Sequence, residues 1–150
     1  MKIYFAGPLF TLAEQNFNRN LRDELVLLGH EVFLPQESEV HKRKELFERE
    51  HHDMPFDYSE IAKDDEKAVY DCDVLTANLD GPMVDDGTSV EVGLARARGK
   101  KTLGYRTDFR VSGDDPKNRL NLMFRLMDKI IFYGGNDISE LAYQIHIAIS

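Results

Sequence analysis

Five short runs rich in β-branched and aromatic residues alternate with stretches of helical spacing, and that alternation leaves few folds open. The runs are Lys2-Ile3-Tyr4-Phe5-Ala6, Glu31-Val32-Phe33-Leu34, Val74-Leu75-Thr76-Ala77-Asn78-Leu79, Lys101-Thr102-Leu103-Gly104-Tyr105 and Ile130-Ile131-Phe132-Tyr133. After the first run Leu12, Phe17, Leu21, Leu25 and Leu28 recur near helical spacing and Gly29 supplies a stop, which predicts an amphipathic helix over about 12–28. Further helices are expected over about 59–71, 88–98, 119–128 and 138–149, the last with Ile138, Leu141, Ala142, Ile145 and Ile149 on one face. The third run is apolar or small throughout, as suits a central parallel strand covered on both faces. The pattern predicts an α/β fold: a doubly wound, flavodoxin-like parallel sheet of five strands in the order 2-1-3-4-5, flanked by helices. Such sheets bind ligands beyond the carboxyl ends of their strands, so chemistry is expected in the loops after strands one and three.

The 150 residues are enough for one well-filled core and too few for two, so residues 1–150 are expected to form a single domain. Cys72 is the only cysteine, which rules out an internal disulfide and makes a reducing, cytoplasmic setting the expectation. No apolar run approaches the roughly 20 residues of a spanning helix, so no membrane partner is expected. A net charge of -8 argues against a nucleic-acid backbone as ligand, because phosphate binding relies on clustered Lys and Arg. From Gln36 to about Tyr58 acids, bases and histidines mix with few apolar positions. This reads as a partly helical excursion of the kind that serves as a lid or an interface arm.

The densest chemistry lies in Asp85-Asp86-Gly87-Thr88-Ser89-Val90-Glu91-Val92-Gly93, with carboxylates and glycines at a strand-to-helix junction. Two readings compete. Thr88 followed three residues later by Glu91 is a capping box, whose hydroxyl and carboxylate satisfy free amides at a helix start. The same placement offers a nucleophile: a carboxylate in the first helical turn sits among positive amides that favour its ionised form. An anionic Glu can attack an anomeric carbon and hold the sugar as an ester. Gly87 and Gly93 would let a flat ligand and a neighbouring strand approach the backbone.

Other features point to no chemistry. His41 and the adjacent His51-His52 lack the spacing of a metal site, so no metal is expected. Cys72 reads as a small core filler. Arg96, Arg98, Lys100 and Lys101 gather where cations complement a helix C-terminus. No glycine-rich phosphate loop is present, so no nucleotide cofactor is implied.

Several segments, taken in order, resemble the nucleoside 2-deoxyribosyltransferases: Lys2-Ile3-Tyr4-Phe5-Ala6-Gly7-Pro8-Leu9-Phe10, Leu79-Asp80-Gly81-Pro82 with Asp85-Asp86-Gly87-Thr88 and Glu91-Val92-Gly93, Tyr105-Arg106-Thr107-Asp108-Phe109-Arg110, and Asn121-Leu122-Met123. The resemblance spans essentially the whole chain. It implies exchange of nucleobases on 2′-deoxynucleosides without a cofactor, with Glu91 attacking C1′, Tyr4 orienting Glu91 and Asp85 passing a proton to the leaving base. It places Asp65, or its neighbour Asp64, and Gln36 against the base, and Gly7, Asp86 and Gly87 in the substrate site. It further implies a homo-oligomer, dimer-based and up to a hexamer, in which Asn121 reaches a neighbouring subunit's site. Some members complete the sugar site with a terminal tyrosine, where this chain ends in Ser150. Two other functions stay open from the residues: an N-glycoside hydrolase of deoxynucleosides or their 5′-monophosphates, and a non-catalytic nucleoside-binding module in which Glu91 is only a cap.

Overall fold

In the computed structural model, which describes residues 1–51, 54–115, 117 and 119–150, the strands are β1 (Lys2–Ala6), β2 (Glu31–Phe33), β3 (Val74–Asn78), β4 (Lys101–Arg106) and β5 (Lys129–Phe132). They form one sheet in the order β2-β1-β3-β4-β5, every neighbouring pair parallel. The helices are α1 (Leu12–Leu27), α2 (Glu39–Glu50), α3 (Ser59–Asp71), α4 (Asp86–Ala97) and α5 (Ile138–Ile149). The expected topology is therefore the observed one.

Side chains alternate across a strand, and this sheet uses both faces. Ile3, Phe5, Val74, Leu103 and Tyr105 pack with Leu21 and Leu25 of α1 and Leu141 and Ile145 of α5. Tyr4, Ala6, Leu75 and Ala77 pack on the other side with Val69 of α3 and Val92 and Ala95 of α4. Two apolar layers explain why the central strands lack a polar face. Helix α1 starts on a capping box: Glu14 N donates to Thr11 Oγ1 at 3.2 Å and Thr11 N to Glu14 Oε2 at 2.8 Å.

Two helices depart from the sequence expectation, while the partly helical excursion takes definite shape. The excursion after β2 resolves into a 3-10 turn, Pro35–Glu37, and then α2, which buries no residue fully. The aromatic rings of Phe47, Phe56 and Tyr58 meet edge to face along this arm. The expected helix near 119–128 is instead a 3-10 helix, Leu122–Leu126, because Asn121 stays extended and caps it through Met123 N at 3.0 Å. Helix α4 begins at Asp86, two residues early, because Asp85 is its cap.

Arg106 organises the carboxyl edge of the sheet. It is 1% exposed and donates to the carbonyls of Leu79, Gly81 and Arg110, the last two at 3.0 Å. Asp80 reinforces the same junction by accepting from Thr107 N at 2.6 Å and Asp108 N at 2.8 Å. The loop leading to α4 is thereby fastened to the loop after β4. In that second loop Gly113 has φ +73°, and a Cβ there would stand 2.1 Å from the Leu120 carbonyl carbon. A Gly113→Ala variant is expected to lose roughly 1–3 kcal/mol, read as a fall in midpoint on chemical denaturation at unchanged slope.

Candidate active site

Parallel pairing places Tyr4 of β1 beside Leu75 of β3 and Phe33 of β2. Tyr4 is fully buried on the α3/α4 face, its ring stacked on Phe33 at 5.5 Å between centroids. Its hydroxyl donates to Glu91 Oε1 at 2.7 Å. A buried phenol needs a partner, and here the partner is the carboxyl singled out in the sequence.

The cap of α4 is Asp85, whose Oδ2 accepts from Thr88 N at 2.8 Å and Thr88 Oγ1 at 3.0 Å. The Thr88/Glu91 capping box, one of the two competing readings, does not form. Thr88 gives its hydroxyl to Asp85, and Glu91, six residues beyond the cap, is too far along the helix to reach back. The expectation that helix amides hold Glu91 ionised is corrected for the same reason. Burial dominates and, with the charges of Asp65 and Asp85, pushes the Glu91 carboxyl up to about 7 against the opposing Tyr4 hydrogen bond.

Asp65 joins this group from α3. Its carboxyl is half-buried, and Oδ1 has no protein partner. Burial first, then the charge of Asp64, pushes it up to about 7. Its charge bears on both Tyr4 and Glu91. Asp64 instead lines a separate pocket of about 140 Å³ with Lys2, Ile3 and Lys67. The structure thus brings together Tyr4, Glu91, Asp65 and Asp85. Its neighbour Glu66 is exposed and accepts from Tyr70 OH at 2.7 Å, so the acidic stretch turns one carboxylate to solvent and Asp65 inward.

The remaining candidates lie around this centre. Gln36 is turned toward α1: its Oε1 accepts from Asn18 Nδ2 and its Nε2 donates to Gln15 O, both at 3.0 Å. At Gly7 a Cβ would lie 3.1 Å from Asn78 Cβ, so the glycine lets the end of β1 press against β3. Asp86 is exposed and accepts from Gly87 N at 2.8 Å. Asn121, spent on its cap, lines a cavity of about 650 Å³ with Asp86, Met83, Leu120 and Phe124. Glu91 and Tyr4 do not line this cavity, which runs along another face of α4. Gly93 does line it, and nothing lies within 4 Å of its Cβ position, so the neighbouring strand expected there is absent.

The basic cluster is engaged internally. Arg96 pairs with Asp128 at 3.7 Å and Arg98 covers the Tyr70 ring at 4.2 Å. Lys100 and Lys101 donate to the carbonyls of Cys72 and Ile149. Cys72 is buried in the core layer on the α3/α4 side, with its thiol donating to Val69 O at 3.1 Å. Among the described residues no three His, Cys, Asp or Glu side chains gather to hold a metal ion; His52 lies outside the described residues. No helix among the described residues is long and apolar enough to cross a membrane. Sequence reasoning missed Arg106, Asn18 and the Phe33 platform. Asn18 alone left a trace, as a polar residue on the apolar face of a helix.

The sheet order and two-faced core make this a flavodoxin-like α/β protein with a carboxyl-rich centre between β1, α3 and α4. Within that class the chain belongs to the nucleoside 2-deoxyribosyltransferase family, whose model matches residues 3–123. No curated protein matches by sequence. Among solved structures, the chain is similar to a conserved protein from Enterococcus faecalis V583, at 28% identity and a TM-score of 0.73 over 99% of this chain and 98% of that one. It is also similar to the 2-deoxyribosyltransferase of Bacillus psychrosaccharolyticus, at 21% identity and TM-score 0.68, covering 99% and 96% of the two chains. The CMP N-glycosidase of Clostridium botulinum shares the fold at 20% identity and TM-score 0.61, over 97% and 99%.

Proposed function

We propose that the protein exchanges nucleobases on 2′-deoxyribonucleosides through a deoxyribosyl ester on Glu91. The observation that carries this reading is the 2.7 Å bond from Tyr4 OH to Glu91 Oε1 in a half-buried setting. It holds one carboxyl oxygen and leaves the other to react. The ionised carboxylate attacks C1′, the C1′–N bond breaks, and its electron pair leaves with the base. Asp65, in its protonated form, gives that base a proton, a step that typically contributes about 10²–10⁴-fold, and Asp85 would contact the same base as a hydrogen-bond acceptor. An incoming base then attacks C1′, surrenders its proton to an aspartate, and returns the ester electrons to Glu91. Two inversions give net retention. Gln36 would meet the base, Gly7, Asp86 and Gly87 would wall the substrate, and Asn121 would serve a neighbouring copy in a dimer-based assembly up to a hexamer. The lone buried Cys72 suits the reducing cytoplasm, where nucleoside salvage operates.

The second reading, an N-glycosidase, is favoured by the fold shared with the Clostridium enzyme. Its nucleotide form needs a free cation for phosphate. Among the described residues at this edge, Arg106 is enclosed, Arg110 is paired with Asp108 at 2.5 Å and Arg125 with Asp115, while Asp85 and Asp86 would repel a phosphate. Deoxyinosine and deoxyinosine monophosphate, each incubated with and without adenine, separate the readings by chromatography. Deoxyadenosine formed only from the nucleoside with adenine is the expected result, and base release from either donor independent of acceptor would replace transfer with hydrolysis.

A further inference from the structure

We propose that Asn18 is a positioning residue that fixes which way the Gln36 amide faces, and through it which nucleobase edges the site accepts. This deepens the function proposed above and rests on Gln36 meeting the base. Asn18 sits on the core face of α1 with Phe17, Leu21 and Leu25, and is 1% exposed. Burying an amide there is unfavourable unless its hydrogens are satisfied. They are: Asn18 Nδ2 donates to Pro8 O at 2.9 Å and to Gln36 Oε1 at 3.0 Å.

Amide orientation is set by partners that can only accept or only donate. The Pro8 carbonyl can only accept, so Asn18 must turn its NH₂ toward it. The second hydrogen of that NH₂ then requires an acceptor, so Gln36 must present Oε1. At the far side the Gln15 carbonyl receives Gln36 Nε2 at 3.0 Å, which demands the same orientation. Two backbone carbonyls therefore fix a chain of two amides. Gln15 also ties the loop down through Leu9 O at 2.9 Å. What Gln36 has left is one N–H and one lone pair at set positions, a pattern able to tell a 6-amino from a 6-oxo purine edge. Asn18 Oδ1, buried without a protein partner, imposes nothing against this arrangement.

Substituting Asn18→Asp replaces both donors by acceptors facing the Pro8 carbonyl and Gln36 Oε1, so Gln36 must turn or withdraw. Single-turnover base release from deoxyadenosine and from deoxyinosine reads the effect without any acceptor base. The ratio of the two rate constants at limiting substrate is expected to change by about tenfold, the low end of what leaving one buried polar group unpaired does. Asn18→Ser, which can donate to only one of its two partners, should move the ratio in the same direction by less, and it serves if the Asp variant does not fold. Leu25→Ala, which weakens α1 without touching an amide, should slow neither substrate selectively. A Gln36→Ala variant separates the two layers of the argument. If it leaves the ratio unchanged, Gln36 does not meet the base and the proposal falls with that reading. If it moves the ratio while both Asn18 variants slow the two substrates equally, Gln36 keeps its place and the role of Asn18 is overturned.

Discussion

Glu91→Ala is expected to reduce base exchange by about 10⁴-fold or more, the scale on which loss of an activated nucleophile is felt, while the protein stays folded. The helix does not depend on this side chain for its start, because Asp85 holds the Thr88 amide and hydroxyl. Removing the carboxyl therefore costs no cap. It does leave the buried Tyr4 hydroxyl without its acceptor, a loss of roughly 1–3 kcal/mol partly offset by removing a carboxyl that burial disfavours. Circular dichroism and thermal melting should thus show a native fold, and initial-rate assays should show almost no exchange. Mass spectrometry of the unaltered protein mixed with deoxyinosine alone should reveal one added deoxyribosyl unit on the peptide carrying Glu91. Native-rate exchange by Glu91→Ala, or an adduct on a different residue, would remove Glu91 from the mechanism. Tyr4→Phe is a milder case. It removes the one hydrogen bond that lowers the Glu91 carboxyl, so the acid limb of the rate profile should move to higher pH.

The sheet was legible because each strand carries its own local evidence and parallel pairing leaves few arrangements for the helices. The centre was legible only in part. Glu91 stood out by its neighbours in sequence, but its actual partner, Tyr4, is 87 residues away, and no spacing rule links a strand tyrosine to a helix glutamate. The sequence left the capping box and the nucleophile both open because Asp85, Thr88 and Glu91 all fit cap positions, and local chemistry cannot say which register wins. Geometry decides it: Asp85 reaches both Thr88 donors at once. The 3-10 helix after Asn121 was missed because Leu122, Met123, Phe124, Leu126 and Met127 fit a helical pattern whose length the Asn121 cap then limits. Arg106 was unreadable for a different reason. A buried arginine is rare unless paired or hydrogen-bonded, and the partners that bury this one, the Leu79 and Gly81 carbonyls, are far away in sequence and have no side-chain identity to recognise.

Asp65→Asn is expected to make the protein more stable and less active, with both effects depending on pH. In the folded chain burial and Asp64 hold the Asp65 carboxyl up to about 7, whereas in the unfolded chain it ionises near 4. Between those values the folded state keeps a proton that the unfolded state releases. Stability therefore falls as pH rises through that window and stays low above it. Asparagine keeps the shape and removes the titration. At pH 8 the variant should exceed the parent by on the order of 2 kcal/mol, allowing for partial exposure, which corresponds to roughly 4–8 °C in melting temperature for a chain of this size. At pH 4 the two should melt together. Catalysis should move the other way, with kcat falling by about 10²-fold if Asp65 exchanges a proton with the base. The Asp65 charge also raises the Glu91 carboxyl, so the acid limb of the remaining activity should shift to lower pH. A variant that melts with the parent at every pH would show that Asp65 is not held protonated by the fold. One that gains stability without losing rate would leave the carboxyl buried but idle. The combination of gain and loss is what a buried proton donor requires, because the burial that destabilises the chain above neutrality is also what keeps a transferable proton beside Glu91.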